Sequence, residues 1–168
     1  MIFQTQRLTI RPLKAADRAA FFDMMSNYNV MSPIPRPVMD KKESDANFEK
    51  HLNALPTSDT KVMAIETKDG NAFIGICAYL KNNNNQNEIG YRLREQFWGI
   101  GYGTETTKGL IDYGFNTLQL ELLTADTNTA NTGSVKILDK FFTRDIEFYN
   151  EEDKCTDRRH ALKREDWK

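Results

Sequence analysis

The segment Phe97-Trp98-Gly99-Ile100-Gly101-Tyr102-Gly103-Thr104-Glu105 constrains this chain most, because it joins a strand-like run directly to a helix-like one. Before it, Glu88 to Leu93 alternates, with Glu88, Gly90 and Arg92 on one face and Ile89, Tyr91 and Leu93 on the other. After it, Thr104 to Thr117 sets Thr107, Leu110, Ile111, Gly114 and Phe115 on one helical side. Glycines at alternate positions let backbone approach a ligand and turn N–H groups outward at the positive end of the following helix. The turn is therefore a candidate anion cradle suited to phosphate oxygens. A triphosphate-binding loop would end in Gly-Lys-Ser/Thr where this turn has Gly103-Thr104-Glu105, which argues against that class. A dinucleotide fingerprint lacks its third glycine at Thr104, yet Gly99 and Gly101 with Glu121 as ribose acceptor keep that reading open, and so does a tight connection without a ligand.

The rest of the chain supplies a sheet for this turn to leave from. Arg7 to Arg11 alternates as a first strand ended by Pro12, and a helix runs from Ala15 to about Ser26. Three prolines make Ser32 to Pro37 a stiff connector able to edge a pocket, and Lys41 to Leu55 reads as a second helix with Ala46, Phe48, Leu52 and Leu55 inward. Val62 to Thr67 and Ala72 to Leu80, joined by Lys68-Asp69-Gly70-Asn71, form a hairpin, and the asparagine run Asn82 to Asn87 is a mobile loop. Further elements are a strand at Leu120 to Ala125, a helix at Ser134 to Phe142, and strands at Ile146 to Tyr149 and Arg159 to Lys163. Hairpins first and alternation with helices later predict one α/β domain over residues 1–168 with a mixed sheet.

Composition narrows the partners. The 23 Lys+Arg against 24 Asp+Glu leave a net charge of −1, so no bulk field collects nucleic acid or anionic lipid. With no membrane-length apolar run and no signal-like start, a soluble, cytoplasmic protein is expected. Cys77, Cys155, His51 and His160 stand apart from one another, which predicts reduced thiols, no metal site and no Ser-His-Asp triad.

The stretch from Glu88-Ile89-Gly90-Tyr91 through Trp98-Gly99-Ile100-Gly101-Tyr102-Gly103-Thr104-Glu105 resembles the pyrophosphate-binding motif of the GNAT superfamily of acetyl-CoA-dependent N-acetyltransferases. Within it, Trp98 in place of Gln or Arg resembles the ribosomal-protein N-terminal (alanine) acetyltransferase branch. Thr5 to Leu13 with Asp17 resembles that branch's opening strand and helix start, and Asn131 to Lys140 its Asn-x-x-Ser helix.

The resemblance implies a single-domain fold with a mixed, mostly antiparallel central sheet flanked by helices, and a splayed strand pair that binds acetyl-CoA. It implies that Leu93 and Arg94 contact the pantetheine arm, that Trp98, Gly99, Ile100, Gly101, Tyr102, Gly103 and Thr104 hold the pyrophosphate, and that Asn131 bonds the pantetheine amides or caps its helix. Glu88 is the candidate general base, an exposed strand-end carboxylate being the alternative, and Ser134 is the candidate partner of the departing sulfur. The implied acceptor is a small amine or a protein N-terminus, attacked directly without a metal, by a monomer or homodimer. Tyr91 is core or pocket wall rather than catalyst. Two departures stand out: Leu138 where many members carry an acidic tyrosine, and Phe142-Thr143 where the family has Gly-Phe. They keep open a non-catalytic acyl-CoA-binding or regulatory module, and the dinucleotide reading keeps open a nucleotide-dependent oxidoreductase.

Overall fold

The computed structural model describes residues 1–55 and 57–168. Eight strands form one sheet in the order β1-β2-β3-β4-β5-β6-β8-β7. They are β1 (Phe3–Gln4), β2 (Leu8–Pro12), β3 (Lys61–Thr67), β4 (Phe73–Lys81), β5 (Asn87–Leu93), β6 (Leu122–Asn128), β7 (Thr143–Asn150) and β8 (Cys155–Lys163). Five α-helices flank them: α1 (Arg18–Met25), α2 (Tyr28–Met31), α3 (Lys41–Leu52), α4 (Tyr102–Asn116) and α5 (Thr132–Leu138). Among these helices none is long and apolar enough to cross a membrane.

Strand alternation divides the apolar residues between the two faces of the sheet. Leu8, Ile10, Ile65, Ile74 and Leu123 pack with Leu110, Ile111 and Phe115 of α4, whereas Ala64 and Phe73 pack with Phe21, Met24, Met25 and Phe48 under α1 and α3. Phe21 and Phe48 meet edge to face at 5.2 Å between ring centroids. Helix α3 opens with a reciprocal cap, Asp40 accepting from the Glu43 N–H at 2.8 Å and Glu43 from the Asp40 N–H at 2.9 Å.

Every neighbouring pair is antiparallel except β5 and β6, so the expected mixed, mostly antiparallel sheet flanked by helices is the one observed. That parallel pair meets only at Glu88↔Thr124. Beyond that contact the strands splay and leave main-chain groups without ladder partners.

Several expected boundaries move. Helix α3 stops at Leu52, where Asn53 donates its side-chain amide to the Glu49 carbonyl at 3.0 Å, and Leu55 is 71 % exposed instead of buried. In α1 the buried side is Phe21, Met24 and Met25, with Ala19 exposed, as is Ala16 in the 3₁₀ turn before the helix. Helix α5 spans Thr132–Leu138, shorter and earlier than Ser134 to Phe142, because Asn131 caps it and Phe142 turns into the core. The asparagine run is held rather than loose. Asn82 Oδ1 accepts from the N–H groups of Asn84 (2.9 Å) and Gln86 (3.0 Å), and Asn83 Oδ1 accepts from Arg159 Nη2 at 2.7 Å.

Candidate active site

The chain leaves β5 at Leu93, makes a 3₁₀ turn over Glu95–Phe97 and enters α4 through the glycines. Gly99 and Gly101 have φ of +76° and +89°, a left-handed conformation that costs other residues roughly 1–2 kcal/mol. Gly101 caps α4 without a side-chain bond, and the first-turn N–H groups of the helix have no intrahelical acceptors. Gly103 serves packing instead: a Cβ there would lie 3.0 Å from Ile137 Cδ1 and 3.2 Å from the Tyr91 hydroxyl. Trp98 Nε1 donates to the Leu93 carbonyl at 3.0 Å, closing the turn while its indole stays 44 % exposed.

Two cations that the sequence reading passed over brace this turn. Arg7 Nη1 donates to the Ile100 carbonyl at 3.0 Å, its Nε to Glu105 at 2.7 Å, and its guanidinium stacks 4.6 Å from the Tyr102 ring centroid. Lys140 Nζ lies 3.3 Å from Thr104 Oγ1. Burial pushes the Glu105 carboxyl up, but bonds from Thr5 and Arg7 outweigh it and leave its pKa below the ordinary value. Glu105 is thus a clamp between the first strands and α4, and its partners lie about a hundred residues away, where no local pattern reveals them.

The turn lines a cavity of about 580 Å³ together with Leu93, Asn131, Ser134 and Ile137. Trp98, Gly99, Gly101, Tyr102, Gly103 and Thr104 face it, while Ile100 contributes its carbonyl to Arg7 and is not on the lining. Arg94 also lies off it. Its N–H donates to the Ile74 carbonyl at 2.8 Å and its guanidinium binds Asp23 at 3.0 Å and the Phe73 carbonyl at 3.1 Å. Asn131 does two things: its side chain accepts from the Ser134 N–H at 3.3 Å as a helix cap, and it borders the cavity.

A second cavity of about 400 Å³ lies over the Glu88, Gly90 and Arg92 face of β5, walled by Met25, Met31, Pro33 to Arg36 and His51. Tyr91, Arg92, Asn131 and Ser134 border both cavities and form the seam between them. At the splay, burial first and the Asp126 charge second raise the Glu88 carboxyl to about 7, against the pull of a hydrogen bond from the Asp126 N–H and of the Arg159 charge. Arg159, fully buried, donates to Asp126 at 2.8 and 2.7 Å. Burial likewise raises the Tyr91 phenol, opposed by a hydrogen bond with Ser134. Leu138 is only 5 % exposed and belongs to the core. Phe142, 7 % exposed, occupies the core at the departure from Gly-Phe, and Thr143 opens β7.

A splayed parallel pair, a glycine turn feeding a helix N-terminus, and two cavities that meet along Tyr91, Arg92, Asn131 and Ser134 make up the site. Residues 7–141 match the family model of the acetyltransferase (GNAT) domain, and the chain belongs to that family and is an acyltransferase. The uncharacterized N-acetyltransferase p20 of Bacillus licheniformis is 28 % identical over 137 residues, 80 % of this chain and 77 % of that protein. A GNAT-family acetyltransferase from Bacillus anthracis superposes with a TM-score of 0.85 at 22 % identity, covering 96 % of this chain and 98 % of that one. RimL, the ribosomal L7/L12 alpha-N-protein acetyltransferase solved with coenzyme A, superposes with a TM-score of 0.79 at 16 % identity over 96 % and 97 % of the two chains. These two likenesses establish the fold.

Proposed function

We propose that residues 1–168 form a single domain that transfers the acetyl group of acetyl-CoA to a primary amine by direct attack on the thioester. The carrying observation is the splay of β5 from β6 at Glu88↔Thr124, with one cavity opening to the glycine turn and the other to a carboxylate whose pKa lies near neutrality.

The residues fit such a donor. Left-handed Gly99 and Gly101 leave room and N–H donors for a pyrophosphate, and Arg7 and Lys140 add positive charge beside them. Leu93 and Asn131 border the channel for the pantetheine arm, and Arg94 positions the turn through Ile74 and Asp23. When bound, acetyl-CoA supplies an acyl group activated as a thioester. Glu88, desolvated and titrating near neutral pH, takes the ammonium proton directly or through water, which frees the amine lone pair. Main-chain N–H groups of β5 at the splay are the donors available to a developing oxyanion. With Leu138 in the core, the Tyr91 phenol and Ser134 at the seam are the hydroxyls available to protonate the departing thiolate.

The acceptor is a small amine or a protein N-terminus. The similarity to RimL and the Trp98 turn support the second, at the level of fold and motif only. The test is thiol release from acetyl-CoA with amines and N-terminal peptides, alongside calorimetric titration of acetyl-CoA and NAD. Acetyl-CoA binding with turnover on at least one amine is expected. Acetyl-CoA binding without any turnover would favour the binding-module reading, and NAD binding alone an oxidoreductase.

A further inference from the structure

The second cavity carries a cation that no carboxylate among the described residues pairs with. Glu88 and Arg92 share one face of β5, four residues apart, so their Cα atoms are about 13 Å from each other. Between them Gly90 leaves the floor bare: a Cβ built there meets nothing nearer than Leu80 Cδ2 at 3.9 Å. The Glu88 end is acidic, with Asp126 and Asp157 facing it and Arg159 bound to Asp126.

The other end is cationic. Arg92 Nε is shut off from solvent and has no hydrogen-bond partner, and Nη1 reaches only Met25 Sδ, at 3.0 Å. The charges that act on it come from Arg36, itself tied to Asp153 at 3.1 Å, and from no carboxylate among the described residues. Burial and the Arg36 charge lower the pKa of Arg92 to about 10, so it stays charged at neutral pH. His51, on the same cavity wall, is held below its ordinary value by burial and by Lys50 and Arg92, so its neutral form is favoured. A guanidinium whose Nε is shut off from solvent without a partner is destabilised until a carboxylate completes the pair. Its planar fork matches the two oxygens of a carboxylate.

We propose that the acceptor is a primary amine that also carries a carboxylate, the amine lying toward Glu88 and the carboxylate on Arg92. The inference rests on the acetyl-transfer reading and adds the substrate class. A polyamine has no group for Arg92 and would be repelled by it. The carboxylate belongs either to a free amino acid or to an acidic residue at the start of a peptide, and the assay separates these sources.

Acetyl-CoA turnover is measured with free amino acids against their amides, with peptides beginning in Asp or Glu against Asn or Gln, and with spermidine. The carboxylate member of one or both series should exceed its neutral partner in kcat/KM by about 10- to 100-fold, the range of a charged hydrogen-bonded pair. Arg92→Met should lower kcat/KM by at least tenfold more on the carboxylate substrates than on the neutral ones, erasing the preference, and its melting temperature should not fall. Arg92→Lys should keep part of the preference. Neutral amides or spermidine turned over as well as carboxylates, or an equal loss on both series in Arg92→Met, overturns the proposal. If acetyl-CoA binds but no acceptor reacts, acetyl transfer fails separately. Calorimetry of the CoA-saturated protein then decides this inference: amino-carboxylates binding at least tenfold tighter than their amides sustain it, and equal binding ends it.

Discussion

Replacing Glu88 by Gln separates catalysis from stability, because the property that suits the carboxylate to act as a base is costly to the fold. Its pKa is raised from an ordinary 4.5 to about 7, chiefly by burial. At about 1.4 kcal/mol per pKa unit, the ionised form costs at most about 3.5 kcal/mol. Because the folded-state value lies above the unfolded one, the native state binds more protons between these limits, and stability falls as pH rises. The cost is absent below about pH 4.5, grows toward pH 7 and is complete above it. Glu88→Gln should therefore match the parent in melting temperature near pH 4.5 and exceed it at pH 8, by up to roughly 2–4 °C per kcal/mol relieved. Its kcat/KM at pH 7.5 should fall by about a hundredfold or more, as expected for loss of a general base. With an acceptor amine of high pKa, the parent profile of kcat/KM should bend near pH 7, and the variant's should not. CoA affinity should hold within about twofold, since Glu88 does not line the cavity of the glycine turn. A variant of near-parental rate that keeps the bend near pH 7 would refute the role of Glu88, and unchanged stability at pH 8 would refute its desolvation.

Gly101→Val forces a β-branched residue to φ of +89° and brings its Cβ to 3.2 Å from Arg7 Nη2, so CoA affinity by calorimetry should drop at least tenfold. Unchanged affinity would place the donor elsewhere. Arg7→Gln removes the charge that links Ile100 and Glu105, and should weaken CoA binding severalfold and flatten its dependence on salt; an unaltered salt dependence would mean that Arg7 only braces the turn. Tyr91→Phe deletes the phenol at the seam, and kcat should fall tenfold or more with KM for acetyl-CoA within about twofold, whereas an unchanged kcat would leave Ser134 as the remaining hydroxyl donor.

The readable parts of this protein were those governed by neighbours in the chain. Alternation from Glu88 to Leu93 sorted Ile89 and Leu93 into the core and Glu88, Gly90 and Arg92 onto a cavity, as the pleat requires. Boundaries were less legible. Only Arg159 to Lys163 read as a strand, and weakly, yet β8 runs from Cys155 to Lys163 because it lies between β6 and β7 and buries Arg159 and His160. Leu138 showed a missing hydroxyl at its position, but not that Tyr91 and Ser134 meet at the seam.

By itself the sequence determined the glycine turn and its place between a strand and a helix, because a left-handed φ is a local matter of having no Cβ. It also determined which face of β5 each side chain takes. The tertiary structure alone decided the charges. Arg7 reaches the turn across more than ninety residues, the Glu88 carboxyl is raised toward neutrality only because burial desolvates it and the Asp126 charge opposes its ionisation, and Arg92 has Arg36 and no carboxylate acting on it among the described residues. Coulomb and desolvation energies depend on distance and burial in space, and neither is written in the spacing of residues along a chain.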